Sequence, residues 1–271
     1  IVPWQMAGAS IRVLPVADDG SLRTDLLPGL LSDGKVRLVC VAHISNVLGL
    51  VNPISEMARI AHEAGALVLV DGAQGIAHAK PELDAIDFYA FSGHKIYAST
   101  GVGVLWGRKE LLDRMPPVFG GGEMISSVGW ERTAYAEAPF KFEAGTPNYN
   151  AVPTLVPALE MLDAAPDCQE VLDYVYGALT SDPRITLYGT VRSVKVPLFS
   201  FNVKGGHHED LALLLDKMGI AVRSGQMCAE PLMARFGVGG MVRASFAPYN
   251  TPEEAHYFVG CLDRAVKMLT Q

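Results

Sequence analysis

No stretch of this 271-residue sequence comes near the ~20 consecutive apolar residues that a membrane-crossing helix needs. The longest runs, such as Ala66 to Val70 and Val102 to Trp106, stop far short, so no membrane span is expected. Charge is scarce too. Charged residues make up 19 %, acidic ones outnumber basic ones 29 to 22, and the net charge is −7 with a pI near 5.5. No basic surface offers itself to nucleic acid or anionic lipid, which leaves a small molecule as the expected ligand. Cysteine is limited to Cys40, Cys168, Cys228 and Cys261, with no CxxC pair and no zinc-ligand spacing to the histidines. Neither a disulfide framework nor a metal centre is expected, and a reducing, cytoplasmic compartment is favoured. These cysteines read as ordinary buried residues with one reactive thiol among them. An initiator Met and a signal-peptide layout are both missing from Ile1-Val2-Pro3-Trp4-Gln5, which reads as a cut through a longer protein. There is no internal repeat and no low-complexity tract.

What the chain has is apolar residues, 49 % of the total, ample for a core in one large domain or two ordinary ones. In the first half, short Val/Ile/Leu runs alternate with stretches of helical spacing, the pattern of parallel strands covered by helices, so the fold class is α/β. Strands are expected at 36–42, 67–70, 87–91 and 102–106. A helix opens at Pro53, with Ile54, Met57, Ala58 and Ala61 on one face, and Gly65 stops it. Between Phe119 and Asn148 glycines and aromatics suggest a surface excursion with a hairpin and no helix. Helices at 151–162 and 169–179 lead to a second part that reads strand (196–203), helix (209–218), strand (220–223), short helix (231–236), strand (241–246) and helix (252–269). The expected division is a large domain over 1–155 and a smaller one over 156–271.

In open parallel sheets ligands gather at the carboxyl ends of the strands. Three such ends carry polar groups: His43 to Asn46, Asp71 to Gln74, and Ser92 to Lys95. Lys95, directly after a strand, suits a Schiff-base amine, which must sit near a carbonyl and lose its proton, as a low-dielectric cleft encourages. Asp71 ends an apolar strand, where a carboxylate is expensive unless it meets a cation, such as a protonated pyridine nitrogen; a helix N-cap is its alternative role. Arg243 could grip a carboxylate through two hydrogen bonds or serve in a structural ion pair. Cys228 lies between small-residue turns, in Gly225-Gln226-Met227-Cys228-Ala229, while Cys40 and Cys261 sit in periodic apolar runs. That makes it the candidate reactive thiol. His43 is assigned to local hydrogen bonding.

Five segments, Ser45-Asn46-Val47-Leu48-Gly49, Val70-Asp71-Gly72-Ala73-Gln74, Ser92-Gly93-His94-Lys95-Ile96-Tyr97, Phe142-Glu143-Ala144-Gly145-Thr146-Pro147-Asn148 and Arg223-Ser224-Gly225-Gln226-Met227-Cys228-Ala229, together resemble the class V aminotransferase superfamily. Within it they are similar to the cysteine desulfurases of the SufS/CsdA group, and the likeness runs in order along the whole chain. It implies a partial fold-type-I pyridoxal-phosphate (PLP) transferase, with a mainly parallel large-domain sheet flanked by helices and a smaller α+β C-terminal domain. It further implies that Lys95 carries the cofactor, Asp71 pairs with the pyridine nitrogen, Gln74 meets the phenolic oxygen, and Ser92 and His94 hold phosphate. Thr146 corresponds to a residue that reaches the cofactor phosphate of a neighbouring subunit, hence a homodimer. Asn46 and Arg243 match substrate-carboxylate positions, with Arg223 a second basic residue of that pocket. Cys228 would take sulfur from L-cysteine as a persulfide for an acceptor protein of the SufE, CsdE or SufU type, in iron–sulfur cluster or other sulfur-cofactor synthesis. The alternatives are a selenocysteine lyase acting on L-selenocysteine, which needs Cys228 less, a plain aminotransferase or lyase with an idle Cys228, and a cut chain that by itself cannot hold PLP. Two departures stand out: Met227 replaces the His many members carry before the nucleophile, and the family's N-terminal phosphate-binding turn and ring-stacking histidine are absent from this sequence.

Overall fold

A computed structural model describes residues 1–270. The chain begins with two short helices, α1 (Val2–Met6) and α2 (Leu27–Leu31). Its internal contacts divide it into two compact units. One, here the parallel unit, comprises Val36–His43 and Ile54–Ala164; the other, the antiparallel unit, comprises Ile1–Lys35, Ile44–Pro53 and everything from Ala165 on.

The parallel unit holds a four-stranded sheet in the order β1 (Leu38–Ala42), β2 (Leu67–Asp71), β3 (Phe88–Ser92), β4 (Gly103–Gly107). The first three strands are parallel and β4 returns antiparallel to β3. The helix expected after Pro53 is α3 (Ile54–Glu63), which buries Met57, Ala58 and Ala61 and packs on β2, where Val68 and Val70 are fully enclosed. Gly65, at φ +75°, ends it where a side chain would be strained, and the Ala66 amide closes back on the Ala61 carbonyl. Buried Asp87 fastens these elements, since its carboxylate accepts the Val68 amide and His62 Nε2, both at 2.7 Å, and lies 3.3 Å from Arg108 Nε. After α4 (Lys109–Arg114) the expected excursion forms the hairpin β5 (Ile125–Val128) and β6 (Thr133–Tyr135), and α5 (Leu155–Asp163) closes the unit.

The antiparallel unit builds a second sheet, in the order β7 (Ile185–Tyr188), β8 (Leu198–Val203), β10 (Met241–Ser245), β9 (Arg223–Gly225), with every neighbouring pair antiparallel. The helices α6 (Gln169–Ser181), α7 (His208–Lys217) and α9 (Pro252–Leu269) share one core with it, where Val175, Leu215, Phe258 and Val266 surround Phe199, Phe201 and Val242. The short α8 (Glu230–Phe236) follows the cysteine loop. Thr251 and Glu254 cap α9 reciprocally, which accounts for the sharp helix start read from the sequence. The segment Ile44–Pro53 is fastened to β8 and the residues just before it: the Val196 amide donates to the Gly49 carbonyl, and the Ser200 hydroxyl donates to Val47 O. Gly49, at φ +63°, sits so close that a Cβ would lie 2.5 Å from Leu198 O.

Three expectations need correcting. The strand read at 220–223 begins only at Arg223, because Ile220 and Val222 pack against the core without joining the ladder. Strand β7 was not expected at all. Of the cysteines only Cys261 is buried; Cys168 is half-buried, and Cys40, on the edge strand β1, is exposed. Among the described residues no helix is long and apolar enough to cross a membrane.

Candidate active site

In the parallel unit the three parallel strands end on the same side of the sheet and deliver His43, Asp71 and the 92–95 turn there. Asp71 is exposed, and its Oδ1 accepts the Ala73 amide at 2.9 Å. The expectation of a carboxylate stranded in apolar surroundings is therefore corrected: solvent carries its charge, and it caps a local turn, leaving oxygen lone pairs for a cationic ring. The backbone around it is held from below. A Cβ on Gly72 would stand 2.0 Å from the Tyr89 ring, and one on Gly75 would stand 2.4 Å from His43 Nδ1, so only glycine fits at either place. Tyr89 and His43 are joined by a 3.0 Å contact between the phenol oxygen and Nδ1. Burial, then the negative charge of Asp71, pushes the phenol up, and burial pushes the His43 imidazole down. Both shifts favour the neutral forms, and the phenol and Nδ1 share one hydrogen bond whose direction follows the imidazole tautomer. His43 thus serves local hydrogen bonding, as expected.

Ser92 closes β3, and the Gly93–Ile96 turn follows, ended by Tyr97 at φ +69°. Gly93 and Ile96 are buried while His94 and Lys95 between them are exposed. The turn is pinned by its buried ends, with the Gly93 amide on Val102 O, and it presents the imidazole and amine outward. Lys95 is not sunk in the low-dielectric surroundings the sequence suggested. Gln74, half-buried, leads into the next turn, and Thr146 is exposed beyond Gly145, whose φ is +80°.

The antiparallel unit gathers the other four candidates. Arg223 and Arg243 lie directly opposite each other on β9 and β10, a like-charge pairing that opposes folding unless an anion offsets it. Arg243 Nη1 donates to Asn46 O at 2.7 Å, and Asn46 Nδ2 donates to Met227 O at 2.8 Å. Arg243 Nε is buried without a hydrogen-bond partner. Burial and the neighbouring Arg223 depress the Arg243 guanidinium, while Cys228 opposes that shift. Cys228 is exposed, and Arg223 Nη2 lies 3.5 Å from its sulfur. Met227 and Cys228 both adopt left-handed backbone, φ +56° and +57°, which non-glycine residues rarely take. Side chains the sequence reading missed include Tyr89 and Lys195; the only signal for Lys195 was a lone cation inside the apolar Val194 to Ser200 run.

One arrangement is an outward lysine and carboxylate at the ends of parallel strands; the other is a thiol with paired arginines. The model of the family described as aminotransferase class-V matches residues 1–258, and the chain belongs to that family, whose members are typically PLP-dependent. Its relatives narrow the likeness. It is 45 % identical over 282 aligned residues to a cysteine desulfurase of Escherichia coli O7:K1 and to one of Shigella flexneri, covering 99 % of this chain and 69 % of each relative. Among solved structures it matches the cysteine desulfurase CsdA of Escherichia coli with a TM-score of 0.90 at 40 % identity, covering all of this chain and 70 % of that one. It matches the apo cysteine desulfurase of Thermococcus onnurineus NA1 with a TM-score of 0.93 at 34 % identity, covering 99 % and 70 %.

Proposed function

We propose that the chain acts as a cysteine desulfurase, moving the sulfur of L-cysteine onto Cys228 and releasing L-alanine. The observation that carries this reading is the antiparallel cluster itself: a thiol beside Arg223, next to a buried Arg243 Nε that lacks an acceptor. An amino-acid carboxylate is the anion that would relieve both arginines and bring a substrate sulfur to the thiol. The donor set of the parallel unit suits PLP. Lys95 would hold it, Asp71 would pair with its ring nitrogen, Gln74 would donate to its phenolic oxygen, and Ser92 and His94 would bind its phosphate. Bound there, PLP supplies an electron sink for a deprotonated α-carbon.

The rest falls to the chain. Arg243 and Asn46 hold the carboxylate, with Arg223 completing the pocket. The free amine of Lys95 removes the proton at the substrate α-carbon. The Cys228 thiolate then attacks the substrate sulfur; the new S–S bond forms as the carbon–sulfur bond breaks, its electron pair stays with the β-carbon, and a proton completes alanine. A persulfide remains on Cys228. Thr146, by its place in the Gly145–Thr146–Pro147 turn, would reach the phosphate of a second copy, so the working form is a homodimer. The cofactor residues fall within 1–155 and Cys228 within 156–271, the functional division proposed for the family's two domains. The persulfide would pass in a reducing, cytoplasmic compartment to a small acceptor protein, chosen partly by the 119–142 excursion, where Phe119 and Trp130 are exposed.

With PLP and L-cysteine added, the chain is expected to yield alanine and one extra sulfur on Cys228, read by mass mapping. A keto acid in place of alanine would overturn the reading in favour of transamination.

A further inference from the structure

Three residues assigned above to the substrate pocket and the thiol, Asn46, Cys228 and Arg243, come from three separate segments of the antiparallel unit. The side chains beside them in sequence meet in one apolar cluster: Val47, Leu48 and Leu50 next to Asn46; Met227 and Met233 around the cysteine loop; and Met241, two residues before Arg243. Met227 is 1 % exposed although its neighbour Cys228 is exposed. Its main-chain carbonyl takes the Asn46 Nδ2 hydrogen bond, and its φ of +56° is one that an L residue adopts only when its surroundings impose it. A loop with two consecutive left-handed non-glycine residues has easier conformations open to it. The Ala229 amide donates to the Gln226 carbonyl at 2.9 Å and closes the turn across the pair, and the buried Met227 side chain anchors that turn in the cluster.

We infer that Met227 is a positioning residue: by seating its side chain in the Val47–Leu48–Met233–Met241 cluster and its carbonyl on Asn46, it fixes the Cys228 sulfur at a set distance from the Arg243 carboxylate pocket. Methionine suits the task because its unbranched chain fills an irregular gap between three segments, and it offers no polar group that burial would penalise. The inference rests on the assignment of that pocket to a carboxylate. It goes beyond it by naming what sets the reach between pocket and sulfur, which is the distance a substrate must span between its own carboxylate and sulfur.

The test uses the chain as it stands and two alkylating agents that differ in one group. Iodoacetate carries a carboxylate that Arg243 and Asn46 can hold while Cys228 displaces iodide; iodoacetamide does not. The ratio of the two rates at Cys228, divided by the same ratio at the exposed Cys40 in the same sample, reports the registry of thiol and pocket and cancels general reactivity. In the unaltered chain this normalised ratio is expected to exceed one by about tenfold, the size of one charge-assisted hydrogen-bonded contact. Met227→Ala should bring it to near one with iodoacetamide labelling retained, and Met227→Leu should keep most of it. Should Met227→Ala fail to fold, Met241→Ala opens the same cluster from β10 and is expected to lower the ratio likewise. An unaltered chain without preference for iodoacetate would overturn the carboxylate pocket and this inference with it. A preference that survives in folded Met227→Ala or Met241→Ala would overturn the inference alone.

Discussion

In the parallel unit the candidate groups Asp71, His94 and Lys95 are exposed, and what fixes them lies underneath: glycines pressed on Tyr89 and His43, and a turn pinned by buried Gly93 and Ile96. In the antiparallel unit the groups fix one another, through a chain of hydrogen bonds from Arg243 to Asn46 to the Met227 carbonyl. The first arrangement suits a rigid platform for a large flat ligand held by many contacts. The second suits a small anion, whose arrival satisfies a buried guanidinium nitrogen and offsets the repulsion of two facing arginines. The parallel unit should therefore be sensitive to backbone packing and the antiparallel one to side-chain chemistry.

The largest effect expected is chemical. Cys228→Ser should cut alanine formation from L-cysteine on the order of a hundredfold or more, because an alcohol neither forms a reactive anion near neutral pH nor accepts sulfur; product analysis checks it, and incorporation of PLP should not change. Next comes Arg243→Lys, which keeps a charge and loses the planar fork. KM for cysteine should rise by roughly tenfold or more, at about 1.5–3 kcal/mol for a charged hydrogen bond lost, while PLP uptake again stays constant. The converse break is Gly72→Ala. Its Cβ would meet the Tyr89 ring at 2.0 Å, so overpacking should destabilise the parallel unit by about 1–3 kcal/mol and weaken PLP retention, measured by denaturation and by absorbance, without altering Cys228 alkylation. If Gly72→Ala disturbed the thiol as much as the cofactor site, the contrast between the units would fail.

The smallest expected effect sharpens the same contrast. Lys195 is buried, its Nζ donates to Leu48 O at 2.6 Å, and burial pushes its ammonium down to about 7. Below that pH the ammonium is protonated in both the folded and the unfolded chain, and the desolvation penalty is fully present. As pH rises from about 7 toward the usual lysine range, the folded chain has released the proton while the unfolded chain still binds it, so stability contributed at this site increases. Lys195→Met lacks that gain. Its melting temperature relative to the unaltered chain should therefore fall steadily between about pH 6 and about pH 9, a trend that a thermal-shift series reads directly; a flat difference would contradict the assignment.

How much of this could be read from the sequence differed between the units for the same physical reason. Parallel strands are apolar runs with polar residues at their ends, so Asp71 and Lys95 announce themselves by position, and α3 by its spacing and by Gly65. Antiparallel β9 is three residues long, and its start is hidden by Ile220 and Val222, which are apolar for core packing. Of the four antiparallel candidates, Cys228 was legible from its small-residue loop and Arg243 as a guanidinium able to grip a carboxylate, while the roles of Asn46 and Arg223 came only from resemblance. Nothing local predicts that Asn46 and Met227, 181 residues apart, share a hydrogen bond. Nor does the apolar run Leu38 to Ala42 reveal that Cys40 within it is exposed.

Adding PLP to the purified chain, reducing with borohydride and mapping the modified lysine by mass decides whether Lys95 carries the cofactor. The expected result is a visible absorption band that disappears on reduction and a pyridoxyl group on Lys95. Modification spread over surface lysines, with Lys95 no more labelled than Lys204 or Lys217, would contradict it.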